Sequence, residues 1–408
     1  MRVRGSRVGV VGGSIAGCAA AIALRRLGCE VTVFERSSGA LRDRGSGIAI
    51  PNPLRDEMIG AGYLPADYRC FEVAGRDWLV ADGSAGGRLL WRQPGSASTN
   101  NWGVLWRALR AQVPDACYRD DSRIARIEER ESEVGLVLAD GDRYDFDIVV
   151  GADGYRSAVR LLLHPGSEPE FAGYILWRGN FPERELADRR VWEDVVHTGN
   201  WLTVCFDGGH GVMYPIPDFD DAGSSGGLRV NWAIYTPQPE ELVLDEPTSI
   251  PPGQVAPEVL AHLDRLLERH FPEEVRPVFT STSEDVSIQP IYDETIDSYV
   301  SDRIMLIGDA ATVSRPHTGS GATKAMQDAR LLEQLGGEHE HWEHLLAAYD
   351  ADRTPAGQSL VELGRRIGRD QVERTPPWSD MTPDDFQAWT AATVEGTTSY
   401  LCQNLPSR

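Results

Sequence analysis

Lysine is almost missing from this chain: Lys324 is the only one, and 40 basic residues face 62 acidic ones, for a formal net charge of -22. A phosphate backbone is bound by cations clustered on one face, so nucleic acid is excluded as an expected partner. The bias toward arginine reads as genome composition, not as mechanism. Long hydrophobic runs are lacking too. No stretch reaches the roughly 18 consecutive apolar residues of a membrane-spanning helix. The six cysteines, Cys18, Cys29, Cys70, Cys117, Cys205 and Cys402, are scattered without a CxxC pair. Neither a disulfide framework nor a metal site is therefore expected. The opening MRVRGSRVGVVGG places basic residues ahead of apolar ones, but it runs into a glycine turn without a small-residue cleavage site. It reads as a first strand and not as a signal peptide. A soluble cytoplasmic protein with no membrane contact is expected. No internal repeat is visible.

What is present is a chain of 408 residues, 41% apolar and 25% charged, enough for about two domains. An apolar strand (Val8 to Val11), a Gly-rich turn, an Ala/Leu-rich helix (Ile15 to Leu27) and a second strand (Val31 to Glu35) form a βαβ unit. Two further apolar strands, ending at Ile148-Val-Val-Gly151 and running from Arg303 to Gly308, lead straight into glycine. Such strands belong to a sheet buried on both faces, so this domain is assembled from pieces distant in sequence. Between them, alternating stretches at Tyr174–Phe181, Leu202–Phe206, Gly211–Ile216 and Arg229–Tyr235 predict a mostly antiparallel second sheet. The Pro-rich run 236–257 predicts a loop, residues 258–270 a helix with Leu260, Leu263, Leu266 and Leu267 on one face, and the region after Ala325 mostly helix.

The first turn, Gly12-Gly13-Ser14-Ile15-Ala16-Gly17, is G-x-G-x-x-G with Ser14 in the middle glycine's place. It follows a strand, opens a helix, and is followed 18 residues after Gly17 by Glu35 at the end of the next strand. Gly12 permits the tight turn, Gly17 a close helix–strand approach, and the helix N-terminus faces a pyrophosphate. Glu35 is then expected to accept from ribose hydroxyls, with Arg36 beside it. An ordinary βαβ turn is the plainer alternative.

Two more glycine turns decide which dinucleotide. They are Gly151-Ala152-Asp153-Gly154-Tyr155-Arg156-Ser157-Ala158-Val159-Arg160, and Gly308-Asp309-Ala310-Ala311 followed by Pro316-His317-Thr318-Gly319-Ser320-Gly321 and Gln327-Asp328-Ala329. In this order they resemble the signatures of the class A flavoprotein monooxygenases, which have the p-hydroxybenzoate hydroxylase fold. The resemblance covers most of residues 7–370. The stretches Gly45-Ser46-Gly47-Ile48, Ala172 to Gly179, Tyr214-Pro215-Ile216-Pro217 and Ser314-Arg315-Pro316-His317 are most similar to the 2,6-dihydroxypyridine 3-monooxygenase branch. Thr312, Ser320 and Thr323 depart from a common His, Gln and Asn.

The resemblance implies an α/β fold: a Rossmann-like FAD-binding domain in discontinuous segments (1–75, 101–165 and 293–370, the last with helices), a β-rich substrate domain (76–100 and 166–292), and a C-terminal tail (371–408). It implies FAD as cofactor and NADH or NADPH as transient reductant. Asp309 would meet the ribityl chain, with Gly308 in its turn, and Pro316, Gly319, Ser320 and Gly321 would line the flavin. Gly47 and Ile48 would sit beside the ring, with Gly45 and Gly47 leaving room for the flavin to move. Asp153 would serve FAD and the reductant's pyrophosphate. Arg107 would lie near the FAD phosphates or the flavin edge, unless it is a surface charge on an amphipathic helix.

The activity implied is hydroxylation of a small electron-rich aromatic or hydroxylated N-heteroaromatic with O2, through a flavin C4a-hydroperoxide. A proton acceptor or relay and a dry cavity are needed opposite the flavin. Arg178, His210, Tyr214, Asn231 and His317 are the candidates. Each has a plainer alternative: a salt bridge within the sheet for Arg178, an exposed hairpin turn for His210, core packing for Tyr214. Trp177 is a core residue or a substrate platform. A flavin halogenase is excluded by the missing WxWxIP segment. A reductase or dehydrogenase of the same fold and a non-catalytic FAD-binding protein remain alternatives, and a homodimer is compatible with the sequence.

Overall fold

The computed structural model describes residues 1–39, 46–218, 227–244, 249–280 and 286–395, plus the backbone of two short strands, Ser399–Tyr400 and Gln403–Asn404. Gly45 and Cys402 lie outside the described residues.

A five-stranded sheet carries the strands in the order Ile304–Leu306, Ile148–Gly151, Arg7–Val11, Glu30–Phe34, Tyr118–Arg119, all parallel. The Val- and Ile-rich runs are buried on both faces, which is why they show no polar alternation. Helix Ile15–Arg26 follows the first strand, and its residues from Ile15 to Leu24 are all buried. Alanine and glycine keep it thin enough to pack against helix Gly321–Glu338.

The second sheet has eight strands, in the order Ser287–Asp293, Glu170–Pro182, Leu228–Pro237, Gly209–Pro217, Asn200–Phe206, Phe71–Val80, Arg88–Asn101, Gly47–Pro51. It is antiparallel except where Asn200–Phe206 pairs with Phe71–Val80. It therefore recruits residues 47–51 and 71–75, which the expected boundaries assigned to the FAD-binding segment. Its two faces separate cleanly by alternation. Ile175, Trp177, Phe181, Trp232 and Ile234 pack outward under helix Pro257–His270 through Val259, Leu263 and Leu267. Tyr174, Leu176, Ala233 and Tyr235 point the other way, joined by Val372 from the C-terminal region. Three small strands, Ile124–Glu129, Val134–Leu138 and Arg143–Phe146, flank the first sheet.

The polar-looking C-terminal region has a core of its own. Trp378, Met381 and Phe386 are buried against Trp78, Val80 and Leu90 of the large sheet. Helix Pro383–Thr393 is fixed by a capping box between Thr382 and Asp385. None of the helices among the described residues is long and apolar enough to cross a membrane.

Candidate active site

At the first turn, Gly12 adopts φ +101°, the left-handed region. A methyl at Gly17 would overlap the Gly12 carbonyl oxygen, so helix and turn meet only because Gly17 has no side chain. Ser14 is the N-cap of helix Ile15–Arg26, but no side chain caps the helix and its first turn holds no acid. Its N-terminal N–H groups are thus arranged for an external anion. Glu35, 6% exposed, accepts the N–H groups of Gly13 (2.8 Å) and Ser37 (2.9 Å). Each carboxylate oxygen keeps a further lone pair for a ribose hydroxyl. The Gly13 carbonyl is held from the other side by Trp106 Nε1 (2.9 Å), Tyr118 OH (3.0 Å) and Cys18 Sγ (3.3 Å). Burial pushes the Cys18 pKa up to about 12, so it remains a thiol donor. Trp106 and Tyr118 have no sequence signature. Arg36 is exposed, and Arg107, on helix Trp102–Arg110, is half-buried.

At the third turn, Gly308 has φ +62°, and a methyl there would lie 2.7 Å from Ala16 Cβ. Its N–H donates to Asp328 Oδ2 (2.9 Å). Asp328 is fully buried and also binds Lys324 Nζ (2.5 Å) and Arg353 Nε (2.7 Å). The single lysine is therefore part of the scaffold. Asp309 is exposed on this turn, and neighbouring protein raises its carboxyl pKa through desolvation, with Lys324 and Arg160 opposing. Arg160, 2% exposed, donates to the carbonyls of Asp309 (3.3 Å), Ala310 (3.1 Å) and Tyr155, and pairs with Glu294 (3.0 Å). It ties the second turn to the third. Asp153 is half-buried, and its carboxylate accepts Ser157 Oγ (2.5 Å) and the Ala158 N–H (2.7 Å) at the start of helix Ala158–Leu163, whose N-cap is Ser157.

Pro316, His317 and Thr318 form a short 3-10 turn ending at Gly319 (φ +62°), which leads through Ser320 into helix Gly321–Glu338. Gly321 places its backbone beside Asp309, with 3.7 Å from a built Cβ to Oδ1. Of the departures from family pattern, Thr312 bonds Tyr299, and Thr323 Oγ1 is buried without a partner. Gly47 and Ile48 begin the outermost strand of the large sheet.

His317 faces the inner side of that sheet. Its Nε2 lies 2.8 Å from Tyr174 OH, and its ring stacks on Tyr235 at 4.0 Å. His210 stacks on the same Tyr235 at 4.7 Å and sits 5.5 Å from His317. His210 is not in an exposed hairpin: the turn is Asp207-Gly208, and His210, 2% exposed, lies inside strand Gly209–Pro217. Desolvation by burial pushes its pKa down to about 3, helped by Arg76. His317 is driven well below its ordinary value by the same cause, with His210, Arg315 and Arg76 adding. Burial thus favours the neutral form of both imidazoles. Arg76 lies 3.7 Å over the Trp78 ring and donates to Thr203 Oγ1 (2.6 Å). Arg76, Tyr174 and Tyr235 join this cluster through strand pairing, and Arg315 through the turn that carries His317; none of the four was a candidate site residue in the sequence.

The remaining candidates divide. Tyr214 packs on Trp201 at 5.0 Å. Asn231, opposite Tyr214, accepts the Gly47 N–H (2.8 Å). Arg178 shares the Tyr174 face by alternation and is half-buried, with no ion pair among the described residues. Trp177 turns outward and donates to Thr236 Oγ1 (2.9 Å), so it is core and not a platform.

Comparison with known proteins adds to this geometry. A model described as FAD binding domain matches residues 259–363, one described as FAD binding domain-like matches 171–293, and one described as pyridine nucleotide-disulphide oxidoreductase matches 7–62. The chain is 30% identical to 2,6-dihydroxypyridine 3-monooxygenase of Paenarthrobacter nicotinovorans over 88% of its own length and 90% of that protein's. It belongs to the FAD-dependent aromatic monooxygenases. Within that family it is also 30% identical to 3-amino-4-hydroxybenzoate 2-monooxygenase of Streptomyces cremeus, covering 90% of this chain and 88% of that one. The solved structure of 2,6-dihydroxypyridine-3-hydroxylase from Arthrobacter nicotinovorans superposes with TM-score 0.79 at 26% identity, covering 91% of this chain and 94% of that one. FAD fits the residues present: an uncapped helix N-terminus, a turn in which side chains at Gly12 and Gly17 would clash, and an exposed Asp309.

Proposed function

We propose that this family member hydroxylates a small electron-rich ring, a phenol or a hydroxylated N-heteroaromatic, using O2 and NADH or NADPH. The observation that carries the reading is the buried His317–Tyr235–His210 cluster, set on the sheet face toward which the Pro316–Gly321 turn is directed. FAD, when bound, takes up the hydride and activates O2. The chain's residues bind, orient and keep dry. Gly12 to Gly17 and Glu35 would hold the dinucleotide's pyrophosphate and ribose, Asp309 its ribityl hydroxyls, and the Gly321 N–H its pyrimidine edge, where a donor favours an anion; the Gly319 and Ser320 N–H groups already donate to the Pro316 carbonyl (2.9 Å) and Thr318 Oγ1 (3.3 Å). His210, neutral in its buried setting, offers a lone pair to a ring hydroxyl, and a hydrogen bond accepted from that hydroxyl makes the ring more electron-rich. Among the described residues there is no second βαβ unit with its own glycine turn, so the nicotinamide docks transiently; a cytoplasmic site of action is part of this reading.

The test is a screen of phenols and hydroxypyridines for compounds that accelerate flavin reduction by NAD(P)H. Acceleration by one such ring, with its hydroxylated product, supports the reading. Full-rate reduction without any ring and no product with any of them contradicts it.

A further inference from the structure

His317 Nδ1 is a buried polar atom with no hydrogen-bond partner, on a side chain 6% exposed. Buried polar groups are normally paired, so this one calls for a ligand. The surroundings fix which proton it carries. Arg315, held by Asp293 (2.7 Å) and Glu373 (2.8 Å), donates from Nη1 to Tyr174 OH at 3.3 Å. Arg315 can only donate to the Tyr174 hydroxyl, and His317 Nε2 at 2.8 Å is the one acceptor for the hydroxyl's own hydrogen among the described residues, so Tyr174 donates to His317 Nε2. With Nε2 accepting, the neutral ring carries its hydrogen on Nδ1, and Nδ1–H is a donor awaiting an acceptor.

The neighbouring histidine is set the opposite way at its free edge. His210 Nδ1 lies 3.4 Å from the Gln371 carbonyl oxygen, which can only accept. Nδ1 is thus the N–H, and Nε2 presents a bare lone pair with no partner among the described residues. Gln371 and Glu373 both belong to the π-helical turn Arg369–Glu373. One wide turn thereby fixes both tautomers from behind, through Gln371 on His210 and through Glu373, Arg315 and Tyr174 on His317.

We infer that His317 and His210 read the polar edge of the ring substrate as a matched pair, His317 Nδ1–H donating to a ring oxygen and His210 Nε2 accepting from an adjacent N–H or O–H. This rests on the reading above that the ring lies on this face of the sheet. The ligand class follows from the pattern: a neutral ring with acceptor and donor side by side, as on the lactam edge of a hydroxypyridine. A ring carboxylate offers two acceptors and a charge, and its oxygen would face the His210 lone pair. The pair therefore selects against benzoates, although relatives named for each substrate type are equally similar overall.

The test uses FAD-loaded protein labelled with 15N-histidine, whose imidazole nitrogens report tautomer directly, with His210→Gln and His317→Gln for assignment. Both rings should be neutral Nδ1–H tautomers at pH 7. Adding 2-pyridone should shift His317 Nδ1 and His210 Nε2. Tyr174→Phe, which removes the hydroxyl shared by Arg315 and His317, should let the His317 ring populate the Nε2–H form and weaken 2-pyridone about tenfold, one lost hydrogen bond, at unchanged FAD content. An Nε2–H tautomer at either histidine of the unmodified protein, or tighter binding of benzoate than of 2-pyridone, overturns the inference. The tautomers are read without turnover, so a wrong tautomer leaves ring hydroxylation standing. Failure to hydroxylate any ring leaves the tautomers standing.

Discussion

Gly47 donates its backbone N–H to Asn231 Oδ1 at 2.8 Å, joining two strands that are not neighbours in the sheet. A side chain at Gly47 would begin 2.5 Å from the Asn231 carboxamide carbon. The room expected there for flavin movement is taken by Asn231, and Gly45 lies outside the described residues. Asn231→Ala should leave the buried Gly47 N–H unpaired and cost about 1–3 kcal/mol. Urea unfolding of the FAD-loaded protein checks this, and an unchanged midpoint and slope would show the bond contributes nothing.

Asp309→Ala should weaken FAD about ten- to a hundredfold, from loss of a hydrogen bond to a charged group worth roughly 1.5–3 kcal/mol. FAD retained through gel filtration at the unmodified level would refute the placement of Asp309 against the ribityl chain.

Asp328→Asn removes the carboxylate shared by Lys324, Arg353 and the Gly308 N–H. Leaving buried cations uncompensated should destabilise the fold by about 3–5 kcal/mol. Because Lys324 is the only lysine, an amine-directed reagent reports this site alone on the side chains. Lys324 should resist modification in the native protein and react in the variant. Equal reactivity in both would contradict the role given to Asp328.

The depressed histidine pKa values set a pH dependence. Below the ordinary histidine pKa of 6.5, the unfolded chain takes up protons that folded His210 and His317 refuse. Stability should therefore be full above about pH 6.5 and fall by about 1.4 kcal/mol per pH unit for each ring, down to about pH 3 for His210. Asp153 and Asp309, with raised values, work in the opposite sense and relieve a penalty as pH falls toward the carboxylate range. Comparison with His210→Leu isolates one ring: the variant's destabilisation should be about 2 kcal/mol smaller at pH 5 than at pH 7. A difference independent of pH would show that His210 is not held neutral.

The parts of the fold that the sequence made legible are local. The βαβ unit declared itself because strand, glycine turn, helix and Glu35 lie within thirty-odd residues, and each signal depends only on its neighbours. What stayed hidden depends on register between distant strands. The parallel pairing of Asn200–Phe206 with Phe71–Val80 brings Arg76 beside Thr203, and periodicity cannot reveal it. Alternation alone does not say which face of a strand is which, so Trp177 and Arg178 could not be told apart until the outward core was seen. His210 looked like a turn residue because three of its neighbours are glycine, yet the turn closes two residues earlier. Trp378, Met381 and Phe386 were masked by the polar, Pro- and Thr-rich composition around them.

The central claim is that a ring is hydroxylated with one atom of O2 on an FAD held between Asp309 and the Gly12–Gly17 turn. It is tested most directly by turnover of 2,6-dihydroxypyridine with NADH or NADPH under 18O2, followed by mass spectrometry of the product. One 18O atom per product molecule, with one O2 consumed per product, is the predicted result. A product whose new oxygen comes from water, or a substrate dehydrogenated without any new oxygen, would contradict it.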